Sequence, residues 1–127
     1  MELIEQTVQV GYLDYLEETI YYFSKDKYKN ALKRINIISK QYKHDLNALF
    51  YGGLCYYNLG NHNKALNQFD LIINLGDGPF TQEAYWYKAK TEIQLENIKS
   101  AKKTLKYIIT QNGFYSKQAI ELVNTLN

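Results

Sequence analysis

Cys55, His44 and His62 carry the side chains that nucleophilic catalysis and metal binding most often use. A thiol beside a basic group would be a nucleophile, and histidines near carboxylates or thiols would bind zinc. Cys55 lies in the apolar segment 53–57 without a basic residue within one helical turn, so we interpret it as a core residue. Neither histidine has a carboxylate or thiol at ligand spacing, and Asp77 lacks the repeated oxygens of a calcium loop. The sequence therefore predicts no catalytic residue, no metal site and no cofactor, and we expect the protein not to be an enzyme.

Two basic strips are the next candidates, because clustered lysines can bind nucleic acid or anionic lipid. The chain has 15 basic and 13 acidic residues, a nearly balanced charge. Neither strip has interleaved aromatic residues on which bases would stack. We interpret both as solvated helix faces and predict no nucleic-acid partner. The strips consist of Lys29, Lys33, Arg34 and Lys40, and of Lys99, Lys102, Lys103 and Lys106.

A pattern built around alanine recurs three times, and it indicates the elements that position these side chains. The pattern reads Tyr28-Ala31-Ile35, then His62-Ala65-Phe69, then Ile98-Ala101-Leu105, with the alanines 34 and 36 residues apart. Spacings of three and four residues put each triplet on one face of a helix. A period of about 34 residues is typical of stacked helix hairpins.

The apolar spacing and the turn residues predict seven helices. Asp45, Asn61, Thr81 and Ser116 are expected to cap helices with their side chains, and Gly60 to end one. Phe80 and Tyr115 are expected to pack on Tyr85 and Ile120, one turn into the following helix, as hydrophobic staples. The predicted helices cover residues 3–24 (with Gly11 as a possible interruption), 27–42, 46–59, 62–75, 81–94, 97–110 and 116–126.

The sequence resembles the tetratricopeptide repeat (TPR) family over residues 12–126. Its middle copy carries Gly53, Tyr56, Gly60, Ala65 and Phe69 at the signature places of the family. Two departures are Thr19, in place of a glycine, and Glu92, in place of an aromatic residue.

The resemblance implies an all-α fold, a right-handed superhelical stack of three TPR-like hairpins plus a C-terminal capping helix. It divides one domain, 1–127, into an N-terminal extension (1–11), three repeats (12–43, 44–78 and 79–112) and the capping helix (113–127).

The segments 75–80, 84–89 and 113–115 are similar, more particularly, to TPR domains at the soluble C-termini of bacterial envelope proteins. Such domains follow a membrane anchor, which this chain lacks: no apolar run approaches the roughly 18 residues that cross a bilayer. We expect a soluble domain without membrane insertion of its own, cytoplasmic, or periplasmic if it is part of an anchored parent protein.

In a TPR stack the first helix of each hairpin lines a concave groove, which implies a site for a protein or peptide partner. The alternatives are that the long first helix covers the groove, or that the domain is a structural or self-associating spacer of a larger envelope protein. The carboxylate clamp of chaperone-binding TPR domains is absent, since Leu16, Ile20, Tyr51, Glu83 and Tyr87 hold the matching places. The predicted partner-binding residues are Phe50, Leu54, Tyr57, Asn58, Glu83, Trp86 and Lys90.

Overall fold

Seven α-helices and no strand make up residues 2–126, the part of the chain that this computed structural model describes, with side chains described from residue 11 onward. Each helix packs mainly on its neighbours along the chain, in three successive hairpins followed by a last helix. The all-α prediction is therefore confirmed. The helices are α1 (Glu2–Ser24), α2 (Tyr28–Gln41), α3 (Leu46–Asn58), α4 (His62–Asn74), α5 (Thr81–Gln94), α6 (Ile98–Gln111) and α7 (Ser116–Val123).

Small residues let the two helices of a hairpin approach each other. Ala31, Ala65 and Ala101, the centres of the repeated pattern, are completely buried. The helices also approach closely at Gly53 of α3, where an added Cβ would lie 2.5 Å from Cε1 of Phe69 on α4. The ring of Phe69 occupies the space that the missing side chain leaves open, and it is itself completely buried.

Several helix ends follow the turn residues of the sequence. The carboxylate of Asp45 accepts a hydrogen bond from the Ala48 backbone N–H at 3.0 Å, as predicted for an N-cap. Gly60, two residues after α3, has a φ of +81°, a conformation that side chains with a Cβ disfavour. Gly11 does not interrupt α1, which continues through it.

Three predicted side-chain caps are wrong. Asn61 precedes α4 but makes no side-chain capping bond. The Thr81 hydroxyl accepts from the Gly78 N–H at 2.8 Å and donates to the Gly76 carbonyl at 3.2 Å. The Ser116 hydroxyl likewise donates back to the Gly113 carbonyl at 2.9 Å. Both hydroxyls therefore stabilise the preceding loop instead of satisfying the first N–H groups of a helix.

Aromatic rings join one hairpin to the next. Phe80, just before α5, stacks on Phe50 of α3 with ring centroids 4.4 Å apart. Tyr115, just before α7, stacks on Trp86 of α5 at 5.3 Å. Both rings therefore contact the first helix of the preceding hairpin. Ile120 is exposed, and the packing of Phe80 on Tyr85 and of Tyr115 on Ile120 stays a prediction.

Between the first two hairpins, hydrogen bonds make the connection that aromatic stacking makes between the later ones. The Tyr12 hydroxyl donates to the Asp45 carboxylate at 3.0 Å and accepts from Nδ2 of Asn47 at 2.9 Å. Each first helix is therefore connected to the start of the next first helix.

Candidate functional site

The surface that joins the first helices of the hairpins is the candidate site, and we call it the groove face. Helix α1 packs mainly on α2, touches α3 along its side, and α3 touches α5 in the same way. The three first helices therefore lie in a row. Residues 11–24 of α1 occupy a regular place in that row.

The α1 end of the groove face is apolar and open to solvent. Leu13 and Ile20, two turns apart on this helix, are 48% and 42% exposed. They hold the places in the first hairpin that Asn47 and Leu54 hold in the second, one repeat period later. Two aliphatic side chains are thus available for contact at this end.

The middle of the groove face is more deeply packed than the sequence indicated. Phe50 and Leu54 are both buried, in one core cluster with Phe69 and Ile72. Phe50 is covered by the stacked ring of Phe80. Burial therefore leaves Tyr57, Asn58, Glu83, Trp86 and Lys90 as the predicted residues that a partner can reach directly.

Three aromatic rings surround the ammonium group of Lys90. Its Nζ lies 5.2 Å from the ring centroid of Tyr87, 5.6 Å from that of Tyr57 and 5.9 Å from that of Trp86. All three distances are in the range of cation–π attraction. The rings come from α3 and α5, so this cluster joins the second and third hairpins at the groove face.

Tyr57 is the ring of this cluster that α3 contributes. It contacts the rings of Tyr87 and His62 edge to face, at 6.2 and 5.5 Å. Burial, and to a smaller extent the neighbouring Tyr87, raises the pKa of the Tyr57 hydroxyl. Tyr57 is therefore a neutral hydrogen-bonding group at physiological pH.

Glu83 lies on the same face of α5 as Lys90, seven residues earlier. It is half-buried beside Tyr115, whose pKa is raised first by burial and then by the charge of Glu83. Among the described side chains, the ion pairs are Arg34 with Glu18, and Lys88 with Asp70 at 2.8 Å. The α5 part of the groove face therefore carries two charges of opposite sign that are unpaired within residues 11–126.

The amide of Asn58 has one fixed contact. Its Nδ2 donates to the Leu54 carbonyl at 2.8 Å, one turn earlier in α3, and the residue is exposed. The amide oxygen of Asn58 remains available to a partner.

The thiol of Cys55 lies in the core. Cys55 is completely buried, and burial raises the pKa of its thiol to about 12, which confirms its interpretation as a core residue. Within the described residues, no group of three or more histidine, cysteine or carboxylate side chains could hold a metal ion. No helix in that part of the chain is long and apolar enough to cross a membrane.

Two clefts lie beside the loop between the second and third hairpins. The first, of about 340 Å³, is lined by Leu46, Ile72 and Leu75. The second, of about 270 Å³, is lined by Gln82, Tyr107 and Gln111. The linings of the two clefts share Asp77, Gly78 and Thr81, so the clefts are adjacent.

Known proteins with the same architecture were found by comparing structures. Neither the models of protein families nor the sequences of curated proteins gave a match. Among solved structures, the TPR2B domain in the TPR2B-domain:pHsp70 complex of yeast Sti1 superimposes with a TM-score of 0.79. The superposition covers 91% of this chain and 94% of that chain at 22% sequence identity.

The protein has a TPR-like fold. The predicted fold class is thereby confirmed, since the seven helices form the helical stack of that fold. The more particular resemblance to bacterial envelope proteins, and the predicted repeat boundaries, stay predictions.

The TPR-like register shows where sequence reasoning missed a residue of the groove face. Tyr87 adjoins Trp86, and its ring contacts Phe69, Phe50 and the Lys90 ammonium group. The sequence put Tyr87 at one of the places of the carboxylate clamp, but Tyr87 was not among the predicted partner-binding residues. Leu13 was missed for another reason: it stands one residue outside the apolar stripe that packs on α2.

Glu92, the departure from the TPR pattern, is buried with 5% exposure. Its Oε1 accepts a hydrogen bond from the Thr104 hydroxyl of α6 at 2.7 Å. Burial raises the pKa of the Glu92 carboxyl, whereas the hydrogen bond from Thr104 and the charge of Lys88 lower it. A polar contact thus takes the place of an aromatic one between the helices of the third hairpin.

Proposed function

We propose that this protein is a non-enzymatic interaction module whose concave groove face binds a peptide or a segment of another protein. The observation that carries the proposal is the open groove face itself. Leu13 and Ile20 are exposed at one end, and Tyr57, Trp86 and Lys90 are partly exposed at the other. Apolar and aromatic side chains that remain accessible on one face are typical anchors for a bound segment.

The structural comparison supports the class of ligand. The yeast TPR2B domain with the same fold was solved in a complex with pHsp70. For the present chain we carry over only the general property, a protein segment as the partner.

The proposal can be tested with a displayed library of random 12-residue peptides. Peptides selected by the wild-type domain would be synthesised with a fluorescent label and titrated against variants by fluorescence polarisation. We expect the double variant Leu13→Ser, Ile20→Ser to weaken binding by about tenfold or more, since each buried aliphatic anchor contributes about 1 kcal/mol or more.

Leu71→Ser is the matched control. Leu71 is an aliphatic residue with 36% exposure on α4, the second helix of its hairpin, so its substitution removes exposed apolar surface outside the groove face. Circular dichroism would verify that all variants are folded. Equal weakening by the control and the groove variant, or no selected peptide at all, would contradict the proposal.

The alternative function is a structural or self-associating spacer within a larger envelope protein, and the exposed residues near α7 favour it. Phe114 is 74% exposed, and Ile120 is exposed at the place where Tyr85, one repeat earlier, packs on Tyr107 of α6. Light scattering over a range of concentrations separates the two candidates. A dimer abolished by Phe114→Ser together with Ile120→Ser favours the spacer, whereas a monomer favours peptide binding.

A further inference from the structure

The part of the groove face that α5 forms has a definite pattern of charge. Glu83, Trp86 and Lys90 follow one another at three and four residues, so they share one side of the helix. The spacing of seven residues puts the two charged residues about 10 Å apart along the helix axis. Between them lies the Trp86 ring, stacked on Tyr115.

The two charged groups have different surroundings. The ammonium of Lys90 lies within 6 Å of the three ring centroids of Tyr57, Trp86 and Tyr87. Glu83 is half-buried next to Tyr115. Neither forms an ion pair or a side-chain hydrogen bond within the described residues, so each retains capacity for an opposite charge on a partner.

We propose, on the basis of the function above, that the groove face at α5 recognises a helical segment with a basic and an acidic residue seven positions apart and an apolar residue between them. The basic side chain faces Glu83, the acidic side chain faces Lys90, and the apolar side chain contacts Trp86.

A helix is the conformation that matches this spacing. Residues seven apart on a helix lie on one face about 10 Å apart, the same rise and face that separate Glu83 from Lys90. An extended strand advances about 3.3 Å per residue, and residues three apart, which would span the same distance, face opposite sides. A bound helix that lies alongside α5 can therefore place its basic and acidic residues opposite Glu83 and Lys90 at the same time. The order of these two residues in the bound segment decides whether it runs parallel or antiparallel to α5.

Three synthetic helical peptides test the proposal. All have the same alanine- and glutamine-rich host of 18 residues and a central leucine. They differ only at the two positions seven residues apart: arginine with glutamate, two arginines, or two glutamates. We expect the wild-type domain to bind the arginine–glutamate peptide about threefold to tenfold more tightly than either like-charged peptide. The preference should decrease with added salt.

Charge reversal on the domain predicts a change of preference. Lys90→Glu should prefer the peptide with two arginines, and Glu83→Lys the peptide with two glutamates. The double reversal should again prefer the mixed peptide. Lys90→Gln removes the positive charge and leaves a polar side chain that is one atom shorter, so this variant should lose the discrimination between the mixed peptide and the one with two arginines.

The outcomes separate this inference from the proposed function. If all three peptides bind equally and the double variant Leu13→Ser, Ile20→Ser still weakens their binding, the inferred charge recognition is overturned. The proposal that the groove face binds a peptide would still stand. If none of the three binds the folded wild-type domain, the inference is overturned, while the library selection decides the proposed function independently. An unchanged order of affinity in the reversed variants also overturns it.

Discussion

Glu92 is the residue whose burial has the clearest consequence for stability. A carboxylate with 5% exposure loses most of its hydration, and the single hydrogen bond from Thr104 replaces only part of it. Lys88, one turn earlier, is already paired with Asp70 at 2.8 Å. The charged form of Glu92 is therefore disfavoured in the folded protein, and burial raises the pKa of its carboxyl.

Glu92→Gln should stabilise the domain at pH 7 by about 1 kcal/mol, a typical size for one substitution. The amide keeps the shape of the side chain and an oxygen that accepts from Thr104. Because the folded pKa of Glu92 is raised, its contribution to stability is greatest below the unfolded pKa of about 4.3 and is lost as pH rises through the folded pKa.

The measurement is thermal unfolding, followed by circular dichroism, between pH 4 and pH 8. The wild type should lose stability relative to Glu92→Gln as the pH rises through this range. A variant that is less stable than the wild type at pH 7 would show instead that the carboxylate charge stabilises the third hairpin, through Lys88.

Periodicity predicted the face of the helix on which a residue lies but not how deeply the residue is buried. Phe50, Leu54 and Tyr57 were all predicted for the groove face, yet Phe50 and Leu54 are buried and Tyr57 is partly exposed. Depth depends on what stacks above a residue. The ring over Phe50 comes from Phe80, thirty positions later, and no local pattern contains that contact.

At the scale of elements, the contact of Gly53 with Phe69 determines how closely α3 and α4 approach. Gly53→Ala would put a methyl group 2.5 Å from Cε1 and 2.8 Å from Cζ of a completely buried ring. Overpacking of about 2–3 kcal/mol should exceed the gain of about 1 kcal/mol in helix propensity. We expect a net loss of about 1–2 kcal/mol in the free energy of unfolding, measured by urea denaturation.

Gly11→Ala is the control for helix propensity. A Cβ at Gly11 meets no atom within 4 Å, and the residue lies inside α1. This substitution should stabilise the protein by about 0.5–1 kcal/mol. If both variants were stabilised equally, the close approach of α3 and α4 would not be the constraint that excludes a side chain at residue 53.

The elements themselves were predictable from sequence because their signals are local. The apolar spacing predicted all seven helices, and for α5 it predicted both ends, Thr81 and Gln94. Asp45 caps α3 as predicted. The caps at Thr81 and Ser116 failed because a hydroxyl can also bond to carbonyls before it, and the loops at Gly76 and Gly113 present such carbonyls. The sequence alone does not show whether such a hydroxyl bonds to the N–H groups of the following helix or to the carbonyls of the preceding loop.

At the scale of the whole molecule, three repeat-equivalent contacts connect the first helices. Tyr12 bonds to Asp45 and Asn47, Phe80 stacks on Phe50, and Tyr115 stacks on Trp86. In a stack where each hairpin contacts only its neighbours, the stability of these interfaces decides whether the chain unfolds as one unit. The groove face crosses the same interfaces, so a bound segment would stabilise them together.

Phe80→Ala should lower the free energy of unfolding by about 2 kcal/mol, because it removes a stacked ring from the interface between the second and third hairpins. Phe114→Ala is the matched control: its ring is 74% exposed and contacts Tyr115 edge to face, so its loss should cost less than about 0.5 kcal/mol. Hydrogen exchange locates the effect. In Phe80→Ala the amides of α5, α6 and α7 should exchange earlier than those of α2, α3 and α4, since the weakened interface separates these two groups. If exchange became faster by the same factor in all helices, the hairpins would unfold as one cooperative unit. The stack of Phe80 on Phe50 would then not determine the coupling between the hairpins.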